Sequence, residues 1–308
     1  TIDSFCRPRE SGEPEFWIPA FAGMTLRNVI CFEFRASNFV LICDEFTIRQ
    51  TRSIITRMSS TRKLKVIGMI PAYNCAHLLK KAYEQVPKEY FDDIIVVDDG
   101  STDETLQVAR SLGVKVFTHP HSGYGGNIKY AIQKALLLGA DYCIEIHGDG
   151  QYDPSNIPAA IQKIQGERPD FLLGSRFIPL LQPLRDKMSL VRFLANIGMS
   201  LIDRLVLGLP LSEFHQGFRV YGRTLIKTVG LEGTSDDHLF SFQIIAKAAY
   251  CRLKVSEIPV RCDYAGEHTS ISLKRSVVYA LQTFGVLGLF ILARLGFRTR
   301  LFRCGGKE

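Results

Sequence analysis

The stretch "DIIVVDDGSTDET", Asp93–Thr105, contains a strand, a turn and a helix start in thirteen residues. The apolar run Ile94–Val97 is short, β-branched and ended by two carboxylates, Asp98 and Asp99, as a buried strand would be. Gly100 follows, and "STDE" then supplies a Ser/Thr cap with an acidic first turn. The same grammar recurs outward from this point. "KVIGMI" (65–70), "VKVFTH" (114–119), "YCIEIH" (142–147) and "DFLLGSR" (170–176) read as further strands. Helix-like segments lie between them near 76–86, 103–112, 125–138 and 155–165. Strand alternating with helix predicts an α/β fold, a mostly parallel sheet covered by helices on both faces. Ligands of such sheets sit at the carboxyl ends of the strands. The polar residues fall there: Tyr73 and Asn74, Asp98 and Asp99, His119, then His147 and Asp149.

"DYCIEIHGDGQYDP" (Asp141–Pro154) has two readings. Side chains at i, i+2 and i+4 of a strand share a face, which would project His147, Asp149 and Gln151 together as a ligand cluster. Alternatively, Gly148 and Gly150 pivot a polar turn and Pro154 opens the next helix.

Composition is that of a globular protein with room for a large core, 46% hydrophobic and 22% charged over 308 residues. The net charge of +7 lies entirely beyond residue 57, because residues 1–57 carry seven Arg against seven acidic residues and no Lys. A basic body suits phosphate-rich ligands or an anionic membrane. No basic run interleaved with aromatics points to nucleic acid. The eight cysteines show no C-x-x-C, so reduced thiols are expected. "RESGEPEFWIPAFAGMT" (9–25) resembles a translated short repeat scattered through proteobacterial genomes, and Met58 precedes the first strand. Residues 1–57 are therefore expected to be a non-native or disordered extension, 58–273 the working domain and 274–308 a basic, membrane-associated helix and tail.

Taken in order, "IPAYN", "IIVVDDGSTDET", "HSGYGGNIKYAIQKALLLGAD" and "EIHGDGQYDP" resemble family 2 glycosyltransferases of the GT-A fold. The closer likeness is to the branch that includes dolichyl-phosphate mannose synthase, and it spans about Lys65 to Leu273. The resemblance implies a nucleotide-sugar donor whose nucleoside is lined by Pro71, Ala72, Tyr73, Asn74, Asp98 and Asp99. Gly123, Gly125 and Gly126 permit a tight turn into a helix, with Asn127 and Lys129 facing the nucleotide. It also implies a D-x-D motif holding Mg²⁺ or Mn²⁺ against the diphosphate, with oxygen ligands suited to hard cations. This chain departs from the motif: His147 stands at the first position, with Asp149 and Gln151 following. Imidazole suits Mn²⁺ better than Mg²⁺.

On the acceptor side, "SEFHQGFRVYGR" (212–223) is similar to the family's "HTGFR" segment, which implies that Arg176, His215 and Arg219 sit over the reaction centre. Asp236 and Asp237 of "SDDHLF" are paired carboxylates, and Ser241 stands where relatives commonly carry an acidic residue. A sugar hydroxyl needs a general base, whereas a polyprenyl phosphate needs only positioning and charge neutralisation. Lys274 and Arg275, in a loop similar to one that reaches a lipid phosphate, lean the reading towards a phosphate acceptor. "SVVYALQTFGVLGLFILA" (276–293) only just reaches spanning length, and an interfacial helix with a basic edge is expected. The helical segment 188–208 is expected to pack into the core along its buried face. The sum is an inverting, metal-dependent glycosyltransferase at the inner face of a bacterial cytoplasmic membrane, with Asp149, Arg176 and Asp237 as catalytic candidates. The alternatives are a saccharide-hydroxyl acceptor with Asp236 or Asp237 as base, and a relative that binds nucleotide sugars without turnover.

Overall fold

The computed structural model describes residues 33–35, 38–40, 63–147, 154–261 and 273–305. Two units divide the chain, Thr1–Lys63 and Leu64–Glu308. In the first, β1 (Glu33–Arg35) and β2 (Asn38–Val40) pair antiparallel with Phe34 opposite Phe39.

The second unit is built around β3 (Val66–Ala72), which is apolar on both faces because both are covered. Ile67 and Met69 join one core with Ile95, Val97, Ile128 and Ile132, while Ile70 joins the other with Val96, Ile144, Leu79 and Ile161. Parallel partners flank β3: β4 (Asp93–Asp98) with β5 (Lys115–Thr118) beyond it, and β6 (Tyr142–Glu145) on the other side. The intervening helices are α1 (Ala76–Glu84), α2 (Thr105–Ser111) and α3 (Tyr124–Leu137), followed by α4 (Ile157–Glu167). Next come β7 (Phe171–Ser175), α5 (Gln182–Arg185), α6 (Leu190–Leu207), β8 (Arg219–Gly222) and α7 (Arg223–Val229). The chain continues through α8 (Leu239–Tyr250), β9 (Val255–Pro259) and α9 (Leu273–Arg294).

The sheet order is β5-β4-β3-β6-β8-β7-β9. β8 alone runs antiparallel to its neighbours, so the seven-stranded sheet is mixed but, with its six other strands aligned, mostly parallel as expected. The consequence is local and functional. Antiparallel pairing of Tyr142 with Gly222 and Ile144 with Val220 brings the start of β8, Arg219, to the carboxyl end of β6.

Two smaller expectations are corrected. The entry to α2 is braced by Asp103, whose Oδ1 accepts from Thr105 N at 2.9 Å; the cap position is Glu104, without a side-chain bond, and not Ser101 or Thr102. Both hydroxyl residues are engaged with Asn74 instead. Reduced thiols fail at one pair: Cys251 and Cys304 form a disulfide with Cα atoms 5.7 Å apart. Their sequence separation of 53 hid the pairing, which arises because the tail after α9 folds back onto the end of α8. Cys75 and Cys143 are buried and form no disulfide.

Because the first strand of the second unit begins at Val66, a chain started at Met58 is expected to unfold cooperatively at the same urea midpoint as the full chain. A lowered midpoint or a broadened transition would show that residues 1–57 contribute core.

Candidate active site

Parallel β3, β4, β5 and β6 place Ala72, Asp98, Thr118 and Glu145 at one sheet edge, and the motif residues follow them directly. On the β3–β5 side the motifs are clipped together. Asn74, at φ 46°, accepts from Thr102 N at 2.9 Å, and its own amide donates to Ser101 Oγ at 3.0 Å. Asp98 is buried and accepts from Thr118 Oγ1 at 2.9 Å and from Ser101 N. Asp99 is also buried; it accepts from Ser122 N at 2.7 Å and Gly123 N at 3.0 Å, and His121 Nδ1 lies 2.9 Å away. The carboxylates of "DDGS" thus brace the turn that leads into α3. Tyr73 is half exposed and stacks on His121 with centroids 4.3 Å apart, giving an aromatic shelf on the open side of this brace.

The glycines behave as a tight turn should. Gly123 has φ 88° and precedes α3. A Cβ on Gly125 would stand 2.6 Å from Asp237 O and 2.8 Å from Ser235 O, so α3 packs directly beneath the "SDD" segment. Gly125→Ala is therefore expected to force these backbones apart and to cost about 1–3 kcal/mol, read as a fall in urea midpoint. An unchanged midpoint would show that the segment yields freely. Gly126 N donates to Asp236 O at 3.1 Å, and Lys129 pairs with the Asp236 carboxylate at 2.5 Å. Asn127, buried, bonds Val97 O and approaches His119. Asp237 Oδ1 accepts from Leu239 N at 2.8 Å and so caps α8.

At the end of β6 lies a charged group that no motif announced. Glu145 is fully buried, accepting from Tyr124 OH at 2.5 Å and Tyr221 OH at 2.8 Å. His147 Nε2 stands 3.2 Å from Glu145 Oε1 and 3.3 Å from Gly217 O. Two acceptors around Nε2 assign it the proton. Burial alone would raise the Glu145 pKa, but bonding to His147 and Tyr124 and the charge of Arg219 outweigh it and hold the carboxyl below its usual range. Arg219, also buried, keeps its proton because Tyr124, Tyr221 and Glu145 offset its desolvation. Its Nε has no hydrogen-bond partner, and neither has Ser241 Oγ on α8.

Asp149 and Gln151 lie outside the described residues, as do residues 262–272 and the side chain of Lys274. Among the described residues no three ligating side chains form a metal site. His147 nonetheless fits a divalent cation: a ligating imidazole typically ties its other nitrogen to a carboxylate, as His147 does to Glu145.

On the acceptor side, Arg176 is held by buried Glu213, which accepts from Arg176 N at 2.7 Å and Nε at 2.8 Å. His215 links two helices, with Nε2 2.8 Å from Asp203 of α6 and Nδ1 3.3 Å from Tyr279 OH of α9. Arg275 is exposed. The structure therefore gathers His147 and Arg219 into one cluster, and Asp99 and Gly123 into another. Arg176, Lys129, Asp236 and Asp237 are each already paired or capping. Glu145, Glu213, Asp203, His121 and Tyr279 were not singled out from sequence. Only Glu145 carried a signal, as a charge inside an otherwise apolar strand.

Residues 69–230, more than half of the chain, match the model of Glycosyl transferase family 2. The chain belongs to that family. Its curated relatives include the UDP-N-acetylglucosamine–dolichyl-phosphate N-acetylglucosaminyltransferase of Methanococcus voltae, 27% identical, covering 64% of this chain and 84% of that protein. The undecaprenyl-phosphate mannosyltransferase of Micrococcus luteus is 26% identical, with 64% and 83% covered. The polyprenol monophosphomannose synthase of Mycolicibacterium smegmatis is 22% identical, with 75% and 90% covered. These relatives support the resemblance to the dolichyl-phosphate mannose synthase branch. Among solved structures, glucosyl-3-phosphoglycerate synthase of Mycobacterium tuberculosis, in complex with Mn²⁺, UDP and glucosyl-3-phosphoglycerate, superimposes with a TM-score of 0.55. At 16% identity over 79% of this chain and 84% of that one, it bears on the fold alone. A family 2 glycosyltransferase on the GT-A architecture is the shown identity.

Proposed function

We propose that this family 2 glycosyltransferase moves a sugar, with inversion, from a nucleoside-diphosphate donor to a polyprenyl phosphate at a membrane surface. The observation that carries the reading is Arg219, a buried cation with an unused Nε donor that shares the Gly217 carbonyl with His147, the first position of the motif. A guanidinium so placed suits a phosphate group. The relatives' names, each specifying a polyprenyl or dolichyl phosphate or polyprenol product, support it. Donor binding falls to the Tyr73–His121 shelf and to the turn braced by Asp98 and Asp99, with Pro71, Ala72, Asn74 and Gly126 behind it. His147, Asp149 and Gln151 would hold Mn²⁺ or Mg²⁺, which neutralises the departing diphosphate when bound. The acceptor phosphate is already an anion, so the chain's task is to orient it against the anomeric carbon and exclude water. A saccharide-hydroxyl acceptor is disfavoured because Asp236 is paired with Lys129, Asp237 caps α8, and residue 241 is a serine.

The test is transfer of label from a panel of UDP-, GDP- and CDP-sugars, with Mn²⁺, into undecaprenyl phosphate or into soluble saccharides. Label in the chloroform phase supports the reading; label confined to saccharide, or bound donor with no turnover, rejects it. Within that assay, Lys274→Ala/Arg275→Ala is expected to cut lipid transfer by at least about 30-fold, a loss of about 2 kcal/mol, while leaving donor hydrolysis intact. Normal transfer in detergent would remove these two cations from the acceptor site.

A further inference from the structure

Sequence periodicity gives α6 an apolar stripe, but in the structure that stripe faces outward. Phe193, Ser200, Asp203 and Leu207 are the buried positions of this helix. Leu190, Val191, Leu194, Leu201, Ile202 and Leu205 are all exposed, Val191 at 81% and Leu205 at 75%. At 100° per residue these six fall within one 120° sector, and Ala195 and Gly198 extend the same face. The expected packing holds for one face of the helix, and the other face is bare and apolar. α9 repeats the arrangement. Thr283, Val286, Leu287, Phe290 and Ala293 are buried, whereas Val277, Leu281, Phe284, Ile291 and Leu292 are exposed. α6 and α9 touch each other, and both touch α8. A bare apolar face of this extent is far beyond the scattered exposed residues of ordinary surfaces.

We propose that α6 and α9 together form one bilayer-docking surface, with α9 lying in the plane of an anionic leaflet and not crossing it. Charge decides the occupant. The one acidic residue of α6, Asp203, is buried against His215, and residues 276–293 carry no charge. Around the two stripes the exposed charges are cations: Arg192 and Arg204 on α6, Arg275 before α9's apolar run, and Arg294, Arg298 and Arg300 after it. A second copy of this chain would bring these rims face to face with like charge, whereas anionic headgroups match them. Packing decides the orientation. Arg275–Arg294 is long and apolar enough to span a bilayer. Yet its inner face belongs to the core shared with α8, where Phe290 meets Tyr250 and Phe302, and the disulfide fastens the following tail to the end of α8. Drawing α9 across the bilayer would strip that core, so the helix beds about 5–10 Å into the interface on its outer face.

This surface extends the proposed function to a partner, and it also meets the site. The inner faces of both docking helices converge on His215, through Asp203 and Tyr279. A lipid head group lifted from the leaflet would therefore arrive beside the β8 segment that carries Arg219.

The test uses the full chain and vesicles without donor or acceptor, so that it succeeds or fails independently of the transfer reaction. Sedimentation with phosphatidylcholine vesicles containing about 30% phosphatidylglycerol is expected to bind the protein, with weaker binding to phosphatidylcholine alone. Leu194→Asp/Leu201→Asp, both at exposed positions, is expected to lower vesicle affinity by at least about tenfold with an unchanged urea midpoint. Arg192→Glu/Arg204→Glu, which leaves the apolar stripe intact, should abolish the preference for anionic vesicles. An alkaline wash should release the protein from the membranes of cells that express it. Wild-type binding by both variants would remove α6 from the surface. Resistance to the alkaline wash would show that α9 spans. A stable dimer that becomes monomeric in the leucine variant, without vesicle binding by either, would assign the face to a second copy.

Discussion

Asp149→Ala is expected to lower metal-dependent donor turnover by at least about 100-fold while leaving the urea midpoint within error of wild type. On the proposed reading the carboxylate is the one metal ligand that matches the D-x-D pattern without substitution. Removing it takes away the anchor for charge on the leaving diphosphate, a contribution of several kcal/mol. Its neighbour should respond differently. His147 is held through Nε2 by Glu145 and the Gly217 carbonyl, so it is oriented whether or not a cation is bound. His147→Asp is expected to shift metal preference from Mn²⁺ towards Mg²⁺ because a hard oxygen replaces nitrogen. Near-normal rates for the Asp149 variant with Mn²⁺ would sink the metal assignment. An unchanged Mn²⁺/Mg²⁺ ratio for the His147 variant would place that imidazole outside the coordination shell.

The second large effect is on stability. Glu145→Leu is expected to cost about 3–5 kcal/mol, because it strands the buried Arg219 charge and the hydroxyls of Tyr124 and Tyr221. Adding Arg219→Leu should recover a substantial part of that loss, since removing both buried opposite charges together leaves neither uncompensated. The double variant would nonetheless be inactive if Arg219 serves the acceptor phosphate. Urea midpoints of the two single variants and the double variant measure the coupling. Additive losses would mean that Glu145 and Arg219 do not sense each other, and the electrostatic account of this cluster would be wrong.

The cluster also marks where sequence reading runs out. Strands β3 to β7 and the helices between them were legible because each is a local pattern: a short apolar run, a turn residue, then an amphipathic segment. The "DDGS" stretch and His147 were legible because each stands at the end of a strand, where adjacency in sequence is adjacency in space. Glu145 and Arg219 are different, since their meeting depends on β8 inserting antiparallel between β6 and β7. β8 is only four residues long and begins with a charge, so nothing in its composition advertises a central strand. Asp203, His215 and Tyr279 likewise come from three separate elements. For α6, periodicity revealed a stripe but could not say whether the stripe faced the core. That depended on Phe193, Ser200, Asp203 and Leu207, a mixed set, being the inner face. The roles suggested for Arg176 and Lys129 rested on their positive charge, and each has a carboxylate partner already in place.

The Cys251–Cys304 bond makes a covalent ring of the segment that contains β9 and α9. A protease that cuts once anywhere inside that ring cannot release a fragment until the sulfur bridge is opened. Non-reducing gels of a nicked sample should show a single band of full mass, and thiol treatment should split it. In the chain-entropy model, a closure of this size stabilises the folded form by on the order of 4 kcal/mol. Helix α9 is thus fastened at both ends, by the polypeptide on one side and by sulfur on the other. Detaching it would require a reductant as well as a blade.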